Sequence, residues 1–135
     1  MRSSRLPLVG LALVVALTAC DGFGQQQPPA VIVDPTTDPT WVDHIAPLMD
    51  AYCNTCHAVP AARGVPEDFR LDVFEDTDIL GAATMAQDSL DTMEGTGRPM
   101  PPRDEPQMAD SEIALFARWV EIGTPYDTSD LAGGQ

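Results

Sequence analysis

The sequence predicts a small all-α domain of three to four helices. Three observations predict it. Apolar residues Trp41, Ile45, Leu48 and Tyr52 recur at helical spacing, and a second apolar stripe at the same spacing runs through Ile113, Phe116, Ala117 and Val120. The thiol and imidazole cluster CNTCH, Cys53 to His57, follows the first stripe without a break, so one helix delivers it. With 135 residues there is room for one compact domain, and about 95 are expected to fold once the first nineteen residues and the next twenty or so are set aside.

The amino terminus carries Arg2 and Arg5, then an apolar run from Leu6 to Leu17, too short for a comfortable membrane span. It reads as an export signal. LTAC, Leu17 to Cys20, resembles the lipobox of bacterial lipoproteins, which implies cleavage before Cys20 and acylation of its thiol; an ordinary signal peptide with an incidental cysteine is the alternative. Cys20 is the odd one of three cysteines, which suits lipidation and leaves no pair for a structural disulfide. The expected location is therefore the cell envelope, lipid-anchored and facing the periplasm or outer surface. Residues 20–40 hold this cysteine and a stretch rich in Gln, Pro and Thr, read as a flexible tether.

From Trp41 the first helix starts, capped by Asp38 or Thr40, with Pro47 either in the first turn of a shorter helix or kinking a longer one. After His57, two prolines and a glycine give a loop that ends in the apolar positions Phe69, Leu71, Val73 and Phe74. Helical spacing returns weakly from about Asp78 to Met93. Glu94 to Pro106, EGTGRPMPPRDEP, is too rich in Gly and Pro for a regular element and reads as a stiff loop. The last helix runs Asp110 to Ile122, with Asp110 at the cap, Glu112 in the first turn and Gly123 and Pro125 past its end. Residues 127–135 are expected to be a disordered tail.

CNTCH is the spacing of covalent c-type haem attachment, in which two thiols one helical turn apart reach two vinyl groups and the following imidazole ligates iron. Roughly one accidental CxxCH is expected per thousand such chains, so chance explains it poorly. Zinc is the rival, but beyond Cys53, Cys56 and His57 no second Cys or His cluster completes a tetrahedral set, and His44 is the one other histidine. A thioredoxin-like redox pair would need a βαβ context that the chain lacks. A sixth ligand is sought among the methionines. Met49 belongs to the first helix, and Met85 and Met93 sit at core spacing, whereas Met100 lies in RPMPP, where backbone stiffness would hold a weak sulfur ligand; Met93 and Met108 are the alternatives.

These features together resemble class I cytochrome c from Trp41 to about Tyr126, that is residues 41–126. FRLDVFED, RPMPP and EIALFARWVEIGTP look like the small cytochrome c domains of planctomycete-type and other environmental bacterial haem proteins. Ala58 stands where a glycine often follows the haem histidine. The resemblance implies a cytochrome c-like, all-α fold around one covalently attached haem c, with the first and last helices crossing so that Ile45, Leu48 or Met49 meets Phe116, Trp119 or Val120. It also implies a proline carbonyl accepting the His57 Nδ1 proton, with Pro66 the candidate and Pro60 second. Arg98 and Trp119 are candidates for the propionates, against the plainer readings of a solvated arginine and a core tryptophan.

Charge bounds the partners. The chain has no lysine, and loss of Arg2 and Arg5 with the signal leaves five arginines against twenty-one acids, a formal charge of −16. Such a chain will not bind nucleic acid or an anionic membrane face unaided, and it favours a redox protein partner with a basic docking surface. Salt adaptation or solubility would leave the same excess of acids. The function expected is a membrane-tethered electron carrier rather than an enzyme. Two alternatives stand beside it: a haem-bearing accessory subunit of a larger oxidoreductase, and a ligand-binding or peroxidatic sensor in which Met100 is displaced.

Overall fold

A computed structural model describes Pro28 and residues 37–132. The signal, Cys20 and most of the tether lie outside the described residues. Within these bounds the chain is all-α: five helices and long loops, with no strand, one isolated bridge between Phe69 and Leu80 being the only extended pairing. No helix among the described residues is long and apolar enough to cross a membrane.

The chain enters earlier than the apolar stripe suggests. Pro39 and Thr40 are fully buried, and Asp38 reaches Arg118 at 2.9 Å, so residues 38–40 already belong to the folded unit. Thr40 caps the first turn by accepting from the Asp43 N–H. Trp41–Ile45 forms a π-helical turn, which leads into α1 (Ala46–Tyr52). Pro47 sits in the first turn of α1, where its missing N–H costs nothing. Thus the shorter-helix alternative holds. α2 (Asn54–His57) follows at once, with the Cys56 and His57 amides both donating to the Cys53 carbonyl at 3.0 and 2.9 Å.

The weak helical spacing of residues 78–93 resolves into a turn followed by α3 (Ala86–Met93). The first half is not helical because its amides are spent elsewhere. Ala82 and Ala83 donate to the Val73 and Phe74 carbonyls, at 2.8 and 2.9 Å, instead of one turn back. Gly81 permits that approach, since a Cβ there would lie 2.7 Å from the Phe74 carbonyl oxygen.

α4 (Asp110–Glu121) is the longest helix. Its cap is Ala109, one residue before the expected Asp110, and the Glu112 carboxylate closes the end by accepting from the Ala109 N–H at 2.8 Å. Ala109 has no side-chain acceptor to return the bond. Gly123 ends the helix at φ +88, a left-handed conformation that costs glycine little, and the Thr124 N–H then reaches the Trp119 carbonyl at 2.9 Å.

The segment expected as a disordered tail begins instead with α5 (Thr128–Ala132). Asp127 accepts from the Ser129 N–H at 2.7 Å and Asp130 accepts from the Tyr126 N–H at 2.8 Å, so two carboxylates serve amides that a nascent helix leaves free.

The two apolar stripes meet in one core. Ile45, Leu48 and Met49 belong to the same buried cluster as Leu115, Phe116 and Trp119. Trp41 joins it through Trp119, ring centroids 6.1 Å apart, and Phe74 stands 5.7 Å from Trp41 and 5.0 Å from Tyr126. Main-chain bonds tie the ends of the domain together, since Trp41 and Val42 donate to the Pro125 and Tyr126 carbonyls at 2.9 and 3.1 Å. Each large side chain withdrawn fully from water contributes about 1.5–3 kcal/mol, which makes this cluster the main support of a short chain.

Candidate functional site

A cavity of about 530 Å³ opens beside α1 and α2, within the range of small-molecule and cofactor sites. Its walls bring together parts of the chain that are far apart in sequence. Cys53, Cys56 and His57 come from the α1–α2 junction, Val65, Pro66, Phe69 and Leu71 from the next loop, Met85 and Met93 from α3 and the turn before it, and Arg98, Met100 and Pro101 from the stiff loop. Pro28, within the expected tether, also touches the cavity.

Each group arrives there for a local reason. Tyr52 closes the buried stripe of α1, so the next residues project from the helix end toward the cavity side. The His57 carbonyl accepts from the Leu71 N–H at 2.9 Å and the Cys56 carbonyl from the Ala62 N–H at 3.1 Å, which folds the following loop back over the motif. The Met100 N–H reaches the Thr92 carbonyl at 3.4 Å, and the Gln107 amide donates to the Pro102 and Glu105 carbonyls at 2.9 and 2.7 Å. The stiff loop is thus held on α3 at one side and braced internally at the other.

The imidazole of His57 is buried, 8% exposed, with Phe69 edge-on to it at 4.6 Å between ring centroids. Burial lowers its pKa from the ordinary value, and the Phe69 backbone opposes this in part. Its Nδ1 is buried with no hydrogen-bond partner. Burial also pushes the Cys53 thiol up to about 12, helped by the neighbouring Cys56, so it is held as a neutral thiol. Both cysteines are free rather than paired with each other.

Of the residues singled out in the sequence, Cys53, Cys56, His57, Met100, Pro66 and Arg98 all line this cavity, with Met93 and Met85 beside them. Trp119 does not. It is fully buried in the core and its indole N–H donates to the Pro125 carbonyl at 3.0 Å, so the plainer reading of a core tryptophan is the one the structure supports. Met108 is likewise a core residue away from the cavity walls. The hydrogen bond expected from His57 Nδ1 to the Pro66 carbonyl is not formed. That carbonyl accepts from the Phe69 N–H at 3.1 Å in a tight turn, and Pro60 is exposed and outside the cavity. His44 is also outside, its Nδ1 accepting from the Thr40 N–H at 3.1 Å.

Two pairs at the cavity escape a reading of the sequence. Arg63 lines its edge and ion-pairs with Asp104 at 3.1 Å and with Glu105, joining the loop after His57 to the loop after Met100. Tyr52, a lining residue of the cavity, donates its hydroxyl to both oxygens of Glu112 at 3.1 and 2.9 Å. A tyrosine on a buried stripe needs a partner for its hydroxyl, but nothing in the spacing names a residue sixty positions away.

Among the described residues no group of three or more His, Cys, Asp and Glu side chains is placed to hold a bare metal ion. The donors on the cavity are instead two thiols, one imidazole and several thioethers on largely apolar walls, with arginines at the rim. Walls of this kind can hold a large, mainly apolar molecule. Comparison with protein-family models, curated proteins and solved structures returns no match.

Proposed function

We propose that this chain is a membrane-tethered mono-haem c-type cytochrome that passes single electrons between redox partners. The observation that carries the reading is convergence. CNTCH and Met100, separated by more than forty residues, line one cavity whose other walls are mainly apolar. Nothing about helix periodicity requires these side chains to meet, whereas a haem held by two thiols, an imidazole and a thioether would.

Haem bound here would supply reversible one-electron chemistry at iron. The chain's own residues do the rest. Cys53 and Cys56 offer the thiols for two thioether bonds, and the neutral state of Cys53 guards it against oxidation before attachment. His57 offers the nitrogen ligand and Met100 the sulfur ligand, while Phe69 and Leu71 keep water from the imidazole. With Met100 as its sulfur ligand, a bound haem would have a raised potential and be closed to small ligands, which favours electron transfer over catalysis. Arg98 and Arg63 at the rim provide cations for the propionates. The excess of acids suits a basic docking partner, and Cys20 supplies the lipid anchor.

Expression with a haem-attachment system followed by a pyridine haemochrome spectrum tests the cofactor, and the expected result is one covalent haem per chain. Met100→Ala should remove the weak near-infrared sulfur-to-iron band and lower the potential. A band that survives in Met100→Ala but disappears in Met93→Ala would reassign the ligand. Cys20→Ser should release the protein from membranes, and its retention there would exclude lipid anchoring.

A further inference from the structure

We propose that the buried Glu112 carboxylate, bridged to the cavity by Tyr52, sets the redox potential of the group held there. The inference rests on the cytochrome reading above. Glu112 is fully buried, unusual for a carboxylate, and it lies outside the attachment motif and the axial ligands. Its two oxygens accept from the Tyr52 hydroxyl, and one of them also from the Ala109 N–H at 2.8 Å. Glu112 also sits in the first turn of α4, at the positive end of the helix dipole.

Charge in such a place acts at a distance. Low-dielectric surroundings screen it weakly, and the side chain that donates to it, Tyr52, is itself part of the cavity wall and directly precedes Cys53. A fixed negative charge favours the oxidised, more positive state of a haem iron and so lowers the potential. The phenol O–H points its positive end at the carboxylate and neutralises part of that field. Helix capping alone would need neither the burial of Glu112 nor the hydroxyl of Tyr52, since an exposed glutamate closes a helix start equally well.

The test is spectroelectrochemistry at neutral pH on the haem-loaded protein, with thermal melts alongside. Glu112→Gln keeps an oxygen acceptor and nearly the same shape but loses the charge, so its potential should rise, favouring the reduced form by about tenfold, or 59 mV for a one-electron couple. Glu112→Asp keeps the charge with a shorter reach and should stay close to the wild-type potential even as its melting temperature drops. Tyr52→Phe removes the neutralising donor, so its potential should fall. A structural role would move the melts without producing this pattern of signs. An unchanged or lowered potential in Glu112→Gln overturns the proposal while leaving the cytochrome reading intact, and wild-type protein without covalent haem overturns both. Where Glu112→Gln does not accumulate, an unchanged or raised potential in Tyr52→Phe is enough to overturn it.

Discussion

Phe69 stands edge-on to His57, with ring centroids 4.6 Å apart and planes at 69°. Twelve residues separate them in the chain, and the Leu71 N–H closes the loop between them onto the His57 carbonyl. The aromatic contact fixes the ring where no hydrogen bond at Nδ1 does. Phe69→Ala should therefore cost about 2–3 kcal/mol in urea denaturation, below the range for a fully buried phenylalanine because Phe69 is only partly buried, and Phe69→Leu should recover most of it. A cost under ~0.5 kcal/mol would show that the ring is held by other contacts.

Arg63 crosses from the histidine loop to the methionine loop, and the crossing has a pH signature. Its hydrogen bond, reinforced by its charge, holds the Asp104 carboxyl below the ordinary value of 3.8. A carboxyl whose folded pKa is depressed contributes stability above its unfolded value and loses it as pH falls through the folded one. The bridge should accordingly be whole throughout the ordinary carboxylate range and open only as pH falls through the depressed folded value. Carbon-detected NMR titration should place the Asp104 midpoint below the ordinary value, and Arg63→Ala should move it up toward that value, the hydrogen bond to its own backbone keeping part of the shift. Because both side chains are well exposed, global stability should change little in Arg63→Ala. Arg63 also has φ +54, so Arg63→Gly separates the torsional cost from the ion pair.

The Cys53 thiol, raised from 9.0 to about 12, should be the less reactive for it. Three units correspond to about a thousandfold smaller thiolate fraction near neutrality, and higher intrinsic nucleophilicity recovers only part of this. In Cys56→Ser protein made without haem attachment, alkylation of Cys53 at mildly alkaline pH should run at least about a hundredfold slower than that of a free thiol, and denaturant should abolish the difference. Removing Cys56 lifts the smaller, electrostatic contribution and leaves burial, the larger one, in place. Prompt labelling of the folded protein would show that the thiol is open to solvent.

How much of this was legible beforehand depends on the range of the interaction. The stripes Trp41 to Tyr52 and Ile113 to Val120 were readable because a buried helix face repeats every 3.6 residues. The donors Cys53, Cys56, His57 and Met100 were readable because each has a chemical type and a local setting that few other roles require. Residues 78–85 misled because an alanine-rich spacing imitates a helix, while the amides of Ala82 and Ala83 are committed to carbonyls nine residues back. Trp119 was ambiguous because the same helix stripe serves core and cofactor alike, and only its bond to Pro125 decides. Glu112 is placed by sequence in the first turn of the last helix and no further, since sequence shows its position but not the phenol brought against it from α1.

Gly81 and Gly123 are both glycines whose replacement by alanine should destabilise the fold, and they should do so differently. At Gly123 the obstacle is torsional, φ +88 with no atom within 4 Å of an added Cβ, so Gly123→Ala should cost about 1–2 kcal/mol and leave the packing unchanged. At Gly81 the obstacle is contact. An added Cβ would meet the Phe74 and Val73 carbonyl oxygens at 2.7 and 2.9 Å, and backbone atoms cannot rotate away as a side chain can. The Val73–Phe74 segment must then retreat, stretching the two bonds from Ala82 and Ala83 and moving the Phe74 ring from Trp41 and Tyr126. Gly81→Ala should therefore cost more than Gly123→Ala and should alter the near-ultraviolet circular dichroism of the aromatic cluster, which Gly123→Ala should leave intact. Equal costs with unchanged aromatic spectra in both variants would mean that the Gly81 turn yields without disturbing the core.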